Sequence, residues 1–254
     1  MKKRALLTVL DDNPGLARQL GSELAKAGLE VSAHIWEDNL KDMAWAPAGR
    51  ELAGDACAVW VIAGPVQAFQ TPSVRKGLSL AALCGQSVHG TDFPLLISPA
   101  AGTVDPASLP QPLACAQSVS KGLGAKAAVA CAKAKRHLPE YHLALHPLDK
   151  LGLWVEAGPR SDPWKGAFCG GLGAFPSAHG VGPSGSVPAS CTLHYQVQGM
   201  KFMLADAECE AWGVHNDLVP GISYYARFME APDALVFGPF PDADEAEPWV
   251  IRLC

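Results

Sequence analysis

With 254 residues, 49% of them hydrophobic and 18% charged, the chain can form one large or two ordinary domains with a sizeable core, which excludes a disordered chain. The net charge of −5 is unevenly divided: residues 1–150 carry 15 Lys and Arg against 13 Asp and Glu, residues 151–254 carry 5 against 12. The acidic half would repel phosphates, so no nucleic-acid partner is expected, and Pro and Gly interrupt every apolar stretch before it could span a membrane.

Met1-Lys2-Lys3-Arg4 and the apolar run Ala5–Leu10 imitate the start of a secretory signal, but the run ends after six residues at Asp11-Asp12. The eight cysteines, at 57, 84, 115, 131, 169, 191, 209 and 254, contain no Cys-x-x-Cys pair. Most sit in apolar or small-residue runs and read as buried free thiols, which points to a reducing, cytoplasmic compartment.

In chain order, Arg4–Leu10 reads as a buried strand, with Asp12 or Asn13 capping a helix that starts at Pro14. Leu16, Leu20 and Leu24 repeat at helical spacing, and Gly28 ends the helix. Glu30–Trp36 is a second strand, Ala48–Ala53 a short helix and Ala56–Ala63 a third strand. The third run is apolar without alternation, as a strand buried on both faces requires. Pro72–Gln86 reads as a helix, Pro94–Ser98 and Leu113–Val119 as strands, and Ala125–His137 as an Ala/Lys-rich helix. This order predicts an α/β domain over residues 1–148: a doubly wound, mostly parallel, flavodoxin-like sheet.

From residue 149 to 254 a smaller β-rich (α+β) domain is expected. Its strand-like runs are Leu151–Val155, Thr192–Val197, Lys201–Leu204, Ile222–Phe228, Ala234–Phe237 and Trp249–Leu253. Gln198-Gly199 is a candidate hairpin turn, and Gly170–Ser186 reads as a long Gly/Pro/Ser loop.

Leu7-Thr8-Val9-Leu10-Asp11-Asp12-Asn13-Pro14, the Leu-rich helix and Ala27-Gly28-Leu29-Glu30-Val31 resemble the opening of response-regulator receiver domains. That resemblance implies paired acids holding Mg²⁺ beside a phosphorylatable Asp four residues before a Pro. Pro65 is present, but the matching position is Val61. Ser98 matches the family's Ser/Thr and Lys121 its Lys, though Gly122 replaces the Pro expected next. The resemblance covers roughly residues 4–125 and implies a pseudo-receiver without a phosphoacceptor. Asp55–Gly64 followed by Gln70–Leu80 resembles the third strand and helix of Toll/interleukin-receptor-like (TIR-like) domains. Catalytic members of that family cleave NAD with a Glu on this helix, and this chain has no acid between Asp55 and Asp92. In a flavodoxin reading, Asp11 and Asp12 would repel the FMN phosphate, so no cofactor is expected.

Gly180-Val181-Gly182-Pro183-Ser184-Gly185 matches Gly-x-Gly-x-x-Gly as text, but without the flanking strand and helix that a dinucleotide site needs. His142 and His146, between Pro139 and Pro147, read as structural rather than as zinc ligands. Asp206, Glu208, Glu210, His215 and Asp217 could gather round a hard cation, but a charge-blunted edge strand explains them better, so no metal site is assigned. The expectation is a non-catalytic signalling or interaction protein with a protein or small-molecule partner and no catalytic residues. The rival expectation is an enzyme acting on a small molecule or nucleotide at the strand ends or between the domains. Open α/β sheets bind ligands beyond the carboxyl ends of their strands, which makes Asp11, Asp12, Gly64 and Ser98 the candidate ligand-binding residues.

Overall fold

The computed structural model describes residues 3–241 and 248–254, so Met1 and Lys2 of the basic start lie outside it. The chain divides into two units, Met1–His137 together with Cys254, and Leu138–Leu253. No helix among the described residues is long and apolar enough to cross a membrane.

In the first unit, β1 (Arg4–Val9), β2 (Glu30–Ile35), β3 (Cys57–Gly64), β4 (Leu95–Pro99) and β5 (Gln117–Ser118) form one parallel sheet in the order β2-β1-β3-β4-β5. The three runs read as buried strands, β1, β3 and β4, are therefore adjacent. Successive side chains leave a strand on opposite faces. Ala5, Leu7, Val9, Val59, Val61 and Ala63 face α1 (Pro14–Lys26) and α4 (Leu123–Lys133), where Leu20, Leu24, Leu123 and Ala127 complete a buried cluster. On the opposite face Trp60 Nε1 donates to Thr8 Oγ1 at 2.8 Å, and α2 (Ala46–Leu52) packs on β3 and on α3 (Pro72–His89). The cap of α1 is Asn13, whose Oδ1 accepts from Leu16 N at 2.9 Å.

Two expected elements of this unit shrink. Of the strand expected at Leu113–Val119 only Gln117–Ser118 pairs, because Gln111–Leu113 turns as a 3-10 helix and three prolines lie nearby. The helix expected to reach His137 stops at Lys133, and the His137 carbonyl accepts from Thr91 N.

The expected domain boundary at residue 148 is corrected to 137/138. Tyr141–Leu148 is β6, and it pairs antiparallel with β7 (Gly152–Pro159), so it belongs to the second unit. Pro139 precedes this strand and Pro147 lies within it, opposite Leu153. The other elements of the second unit are β8 (Trp164–Leu172), β9 (Pro176–Pro183), β10 (Val197–Leu204), β11 (Ala207–Leu218), β12 (Ile222–Phe228), β13 (Ala234–Pro239) and β14 (Trp249–Arg252). Among its described residues this unit is all strand, not α+β. Two antiparallel sheets, β6-β7-β12-β9 and β10-β11-β8-β13-β14, pack face to face. Tyr141 packs on Phe237 and Trp249 across the layers, and Tyr224 Oη donates to Trp212 O at 2.9 Å.

The Gly170–Ser186 segment, expected as a loop, is mostly strand. Glycine there reflects crowding: a Cβ at Gly170 would meet Glu210 O at 2.4 Å, and one at Gly182 would meet Pro188 Cβ at 2.8 Å. Gln198-Gly199 lies inside β10 at a register shift, and the hairpin turn is Ala205-Asp206, between the paired residues Leu204 and Ala207. Residues 192–196, expected as strand, run irregularly before β10.

Candidate functional site

The expected ligand-binding residues share one edge of the parallel sheet. Leu10 N donates to Ala63 O at 2.8 Å, so the chain leaving β1 passes against the end of β3, next to Gly64. A Cβ on Gly64 would lie 2.8 Å from Leu10 Cβ, a contact that only glycine avoids. Ser98 pairs in register with Ala63, and Gly64 with Pro99. Asp11 follows directly, its Oδ1 enclosed and without a hydrogen-bond partner, while Asp12 is exposed. On this sheet edge the start of α3 adds Ser73, which donates to Asp38 Oδ2 at 2.6 Å, and Arg75, which donates to Ser108 O at 2.7 Å. Val61, the position that matches the receiver phosphoacceptor, sits in mid-strand opposite Leu7 and Leu96 and is fully buried. The strand ends two and three residues later, at Ala63 and Gly64, which carry no carboxylate.

A second polar centre lies on the outer face of the β6-β7-β12-β9 sheet, where sequence reasoning assigned no site. Glu156 on β7 stands opposite Ala144 on β6 and Tyr225 on β12, and has no exposed surface. His142 and His146 lie two residues to either side of Ala144, so they reach the carboxylate from opposite directions. They are strand residues, not helical ones. His146 Nε2 is 2.7 Å from Oε2. His142 Nε2 is 3.0 Å from Oε1 but off-line for a hydrogen bond, so it contributes as an electrostatic contact. Gly185 N donates to both oxygens, at 3.0 and 3.1 Å. Burial pushes the Glu156 carboxyl up, but the two imidazoles and the Ser223 hydroxyl outweigh it and hold it well below the usual carboxylate range. Burial, and after it the Glu156 charge, pushes the Tyr225 phenol up.

The Gly-x-Gly-x-x-Gly text thus has a structural use. Its first residues complete β9, and its last glycine brings a backbone N–H to Glu156. The chain that follows folds back over the sheet, with Pro188 against Gly180 and Gly182 and Ser184 Oγ 2.7 Å from Ser223 Oγ. Further on, Asn216 Oδ1 accepts from His194 N at 2.8 Å, and its Nδ2 donates to Thr192 O at 2.9 Å. His179 bridges Tyr224 Oη and Gln196 Oε1, at 2.9 and 3.1 Å, and burial pushes its imidazole down. Glu156, Asn216 and His179 therefore hold the whole connection 184–196. Because the two imidazoles face separate oxygens, this arrangement clamps a loop and offers no shared coordination point. Among the described residues no group of three His, Cys, Asp or Glu is arranged to hold a metal ion.

The acidic set considered for a hard cation is dispersed. Asp206 lies in the hairpin turn, Glu208 meets Lys201 at 2.9 Å, and Glu210 accepts from Trp212 Nε1 at 3.3 Å. His215 packs on Phe240, and Asp217 stands opposite Lys165. Nor is β11 an edge strand, since β10 and β8 flank it. The Glu156 centre did leave one sign in the sequence, a lone acid inside the apolar run Leu151–Ala157.

No protein-family model matches the sequence, and comparison with curated proteins gives no match. Among solved structures, a 3-dehydroquinate dehydratase-like protein from Bifidobacterium longum is similar over 53% of this chain and 95% of its own. Its sequence identity is 16% and its TM-score 0.32, a likeness too low to set a family or an activity for this chain.

Proposed function

We propose that this chain is a non-catalytic signalling or interaction protein whose first unit is a flavodoxin-like, receiver-like or TIR-like domain without the residues that give those domains chemistry. The observation that carries the reading is the make-up of the strand-end edge. Val61 is enclosed in mid-strand, Ala63 and Gly64 end β3, and α3 brings Arg75 and Lys76 but no acid. The strand order β2-β1-β3-β4-β5 supports the flavodoxin-like assignment, since FMN-binding and receiver folds share it. A cytoplasmic setting accords with buried free cysteines such as Cys57 and Cys84, whose thiols burial pushes up to about 11 and about 12.

Two assays test the reading. Incubation with acetyl phosphate and Mg²⁺ should leave the intact mass unchanged; a stable added mass on an Asp of the first unit would overturn it. Purified protein should release no nicotinamide from NAD above an enzyme-free control, because a positively charged sugar develops in that cleavage and α3 brings no carboxylate to meet it. Asp38 accepts from Ser73 at the start of α3 and so lies within reach of that helix. Release that disappears in Asp38→Ala would make the chain an enzyme.

A second reading, small-molecule binding at the strand ends, rests on the enclosed, unpartnered Oδ1 of Asp11. Such an atom costs stability unless a donor meets it. A thermal-shift screen should then find compounds that stabilise the wild-type chain but not Asp11→Ala.

A further inference from the structure

Tyr195 combines two unfavourable features. Its side chain is 85% exposed, and its backbone is held at φ 45°, a left-handed conformation that a bulky aromatic residue rarely adopts. Neither feature is local disorder. His194 N is fixed on Asn216 Oδ1, His194 O accepts from His215 N at 2.9 Å, and Gln196 is tied to His179. The connection that Glu156 clamps at its start is thus clamped again on both sides of Tyr195.

Beneath Tyr195 lies a supporting stack built from glycines. Phe240 rests on two strands at Gly166 and Gly213, where any Cβ would come within 2.8 Å of the phenylalanine. His215 lies with its ring centroid 4.0 Å from that of Phe240, and Tyr195 meets His215 edge-on at 6.3 Å. An exposed tyrosine held rigid on an aromatic base loses little freedom on contact, as binding hot spots require. The charge of its surroundings selects the partner. Among the described residues the unit carries six Lys and Arg against ten Asp and Glu, and Asp217, opposite Lys165, is exposed two residues after His215. Aromatic faces attract guanidinium and ammonium groups, and the negative field adds to that attraction.

We propose that the Tyr195–His215–Phe240 surface docks a positively charged polypeptide segment, with an Arg or Lys side chain of the partner over the Tyr195 ring. This proposal rests on the interaction-protein reading and names its partner chemistry. The test uses the full chain and a fluorescein-labelled hexa-arginine peptide, followed by fluorescence anisotropy. Wild type should bind it; Tyr195→Phe should bind within about twofold of wild type, and Tyr195→Ala on the order of tenfold more weakly. Tyr195→Gly should also lose binding while its Tm rises, because glycine relieves the backbone strain. A merely structural tyrosine would instead lower Tm when removed. Equal peptide binding by wild type and Tyr195→Ala would overturn the proposal. So would absence of binding by wild type, or Tyr195-dependent binding of neutral cellohexaose in place of the peptide. None of these outcomes bears on the acetyl phosphate and NAD assays, so the two readings fail separately.

Discussion

A carboxylate without exposed surface destabilises a fold unless its lone pairs are met, and Glu156 meets that requirement through His146, His142, Ser223 and two contacts from Gly185 N. Glu156→Ala would strand those donors and is expected to cost about 3–5 kcal/mol, read by urea unfolding. Glu156→Gln keeps the shape but replaces one acceptor by a donor facing other donors, so it should fall between wild type and Ala. The pH dependence has a definite sign. Because the folded carboxyl lies below its usual range, the stability it contributes is complete above the ordinary Glu value of about 4.3 and declines as pH falls below it. The gap between wild type and Glu156→Gln should therefore shrink as pH falls below about 4.3. A gap that persists unchanged at pH 2.5 would show that the charge does not matter. The sequence flags Glu156 as odd but not its partners, because His142, His146 and Gly185 become neighbours only through strand register and loop return.

At the scale of elements, the helices of the first unit meet through glycine. A Cβ on Gly124, in the first turn of α4, would lie 2.5 Å from Glu23 O of α1, with Ala27 Cβ at 3.1 Å. Gly124→Ala should force the two helices apart and cost about 1–3 kcal/mol, although alanine is the better helix former. Unfolding as stable as wild type or better would mean that the helices can shift freely. The same crowding explains why the Gly-rich β8 and β9 read as loop. Composition marks glycine as a breaker, whereas Gly170 and Gly182 are there because neighbouring chain comes within contact distance. By contrast, Arg4–Val9, Pro14–Lys26 and Cys57–Gly64 were legible to within a residue or two. Their signals are local: an unbroken apolar run, leucines at helical spacing, and Asn13-Pro14 at a helix start.

For the whole molecule the boundary at 137/138 has a direct consequence. The segment after α4 is tied into the first unit by Thr91 N to His137 O at 2.9 Å and Arg136 Nε to Val88 O at 3.1 Å. A chain ending at His137 keeps both, and should be monodisperse by size-exclusion chromatography and melt cooperatively. One ending at Leu148 would carry β6 without β7, with an unpaired backbone and Leu143 and Leu145 uncovered, and should aggregate. Identical behaviour of the two would refute the boundary. By itself the sequence determined the α/β character of the first unit and the order of its main elements. Each depends on residue type or on spacing within one element. Only the tertiary structure decided that β6 belongs to the second unit, that Glu156 clamps a loop, and that Tyr195 stands on His215 and Phe240. Those facts depend on which strands pair and in what register, and so on contacts between residues far apart along the chain.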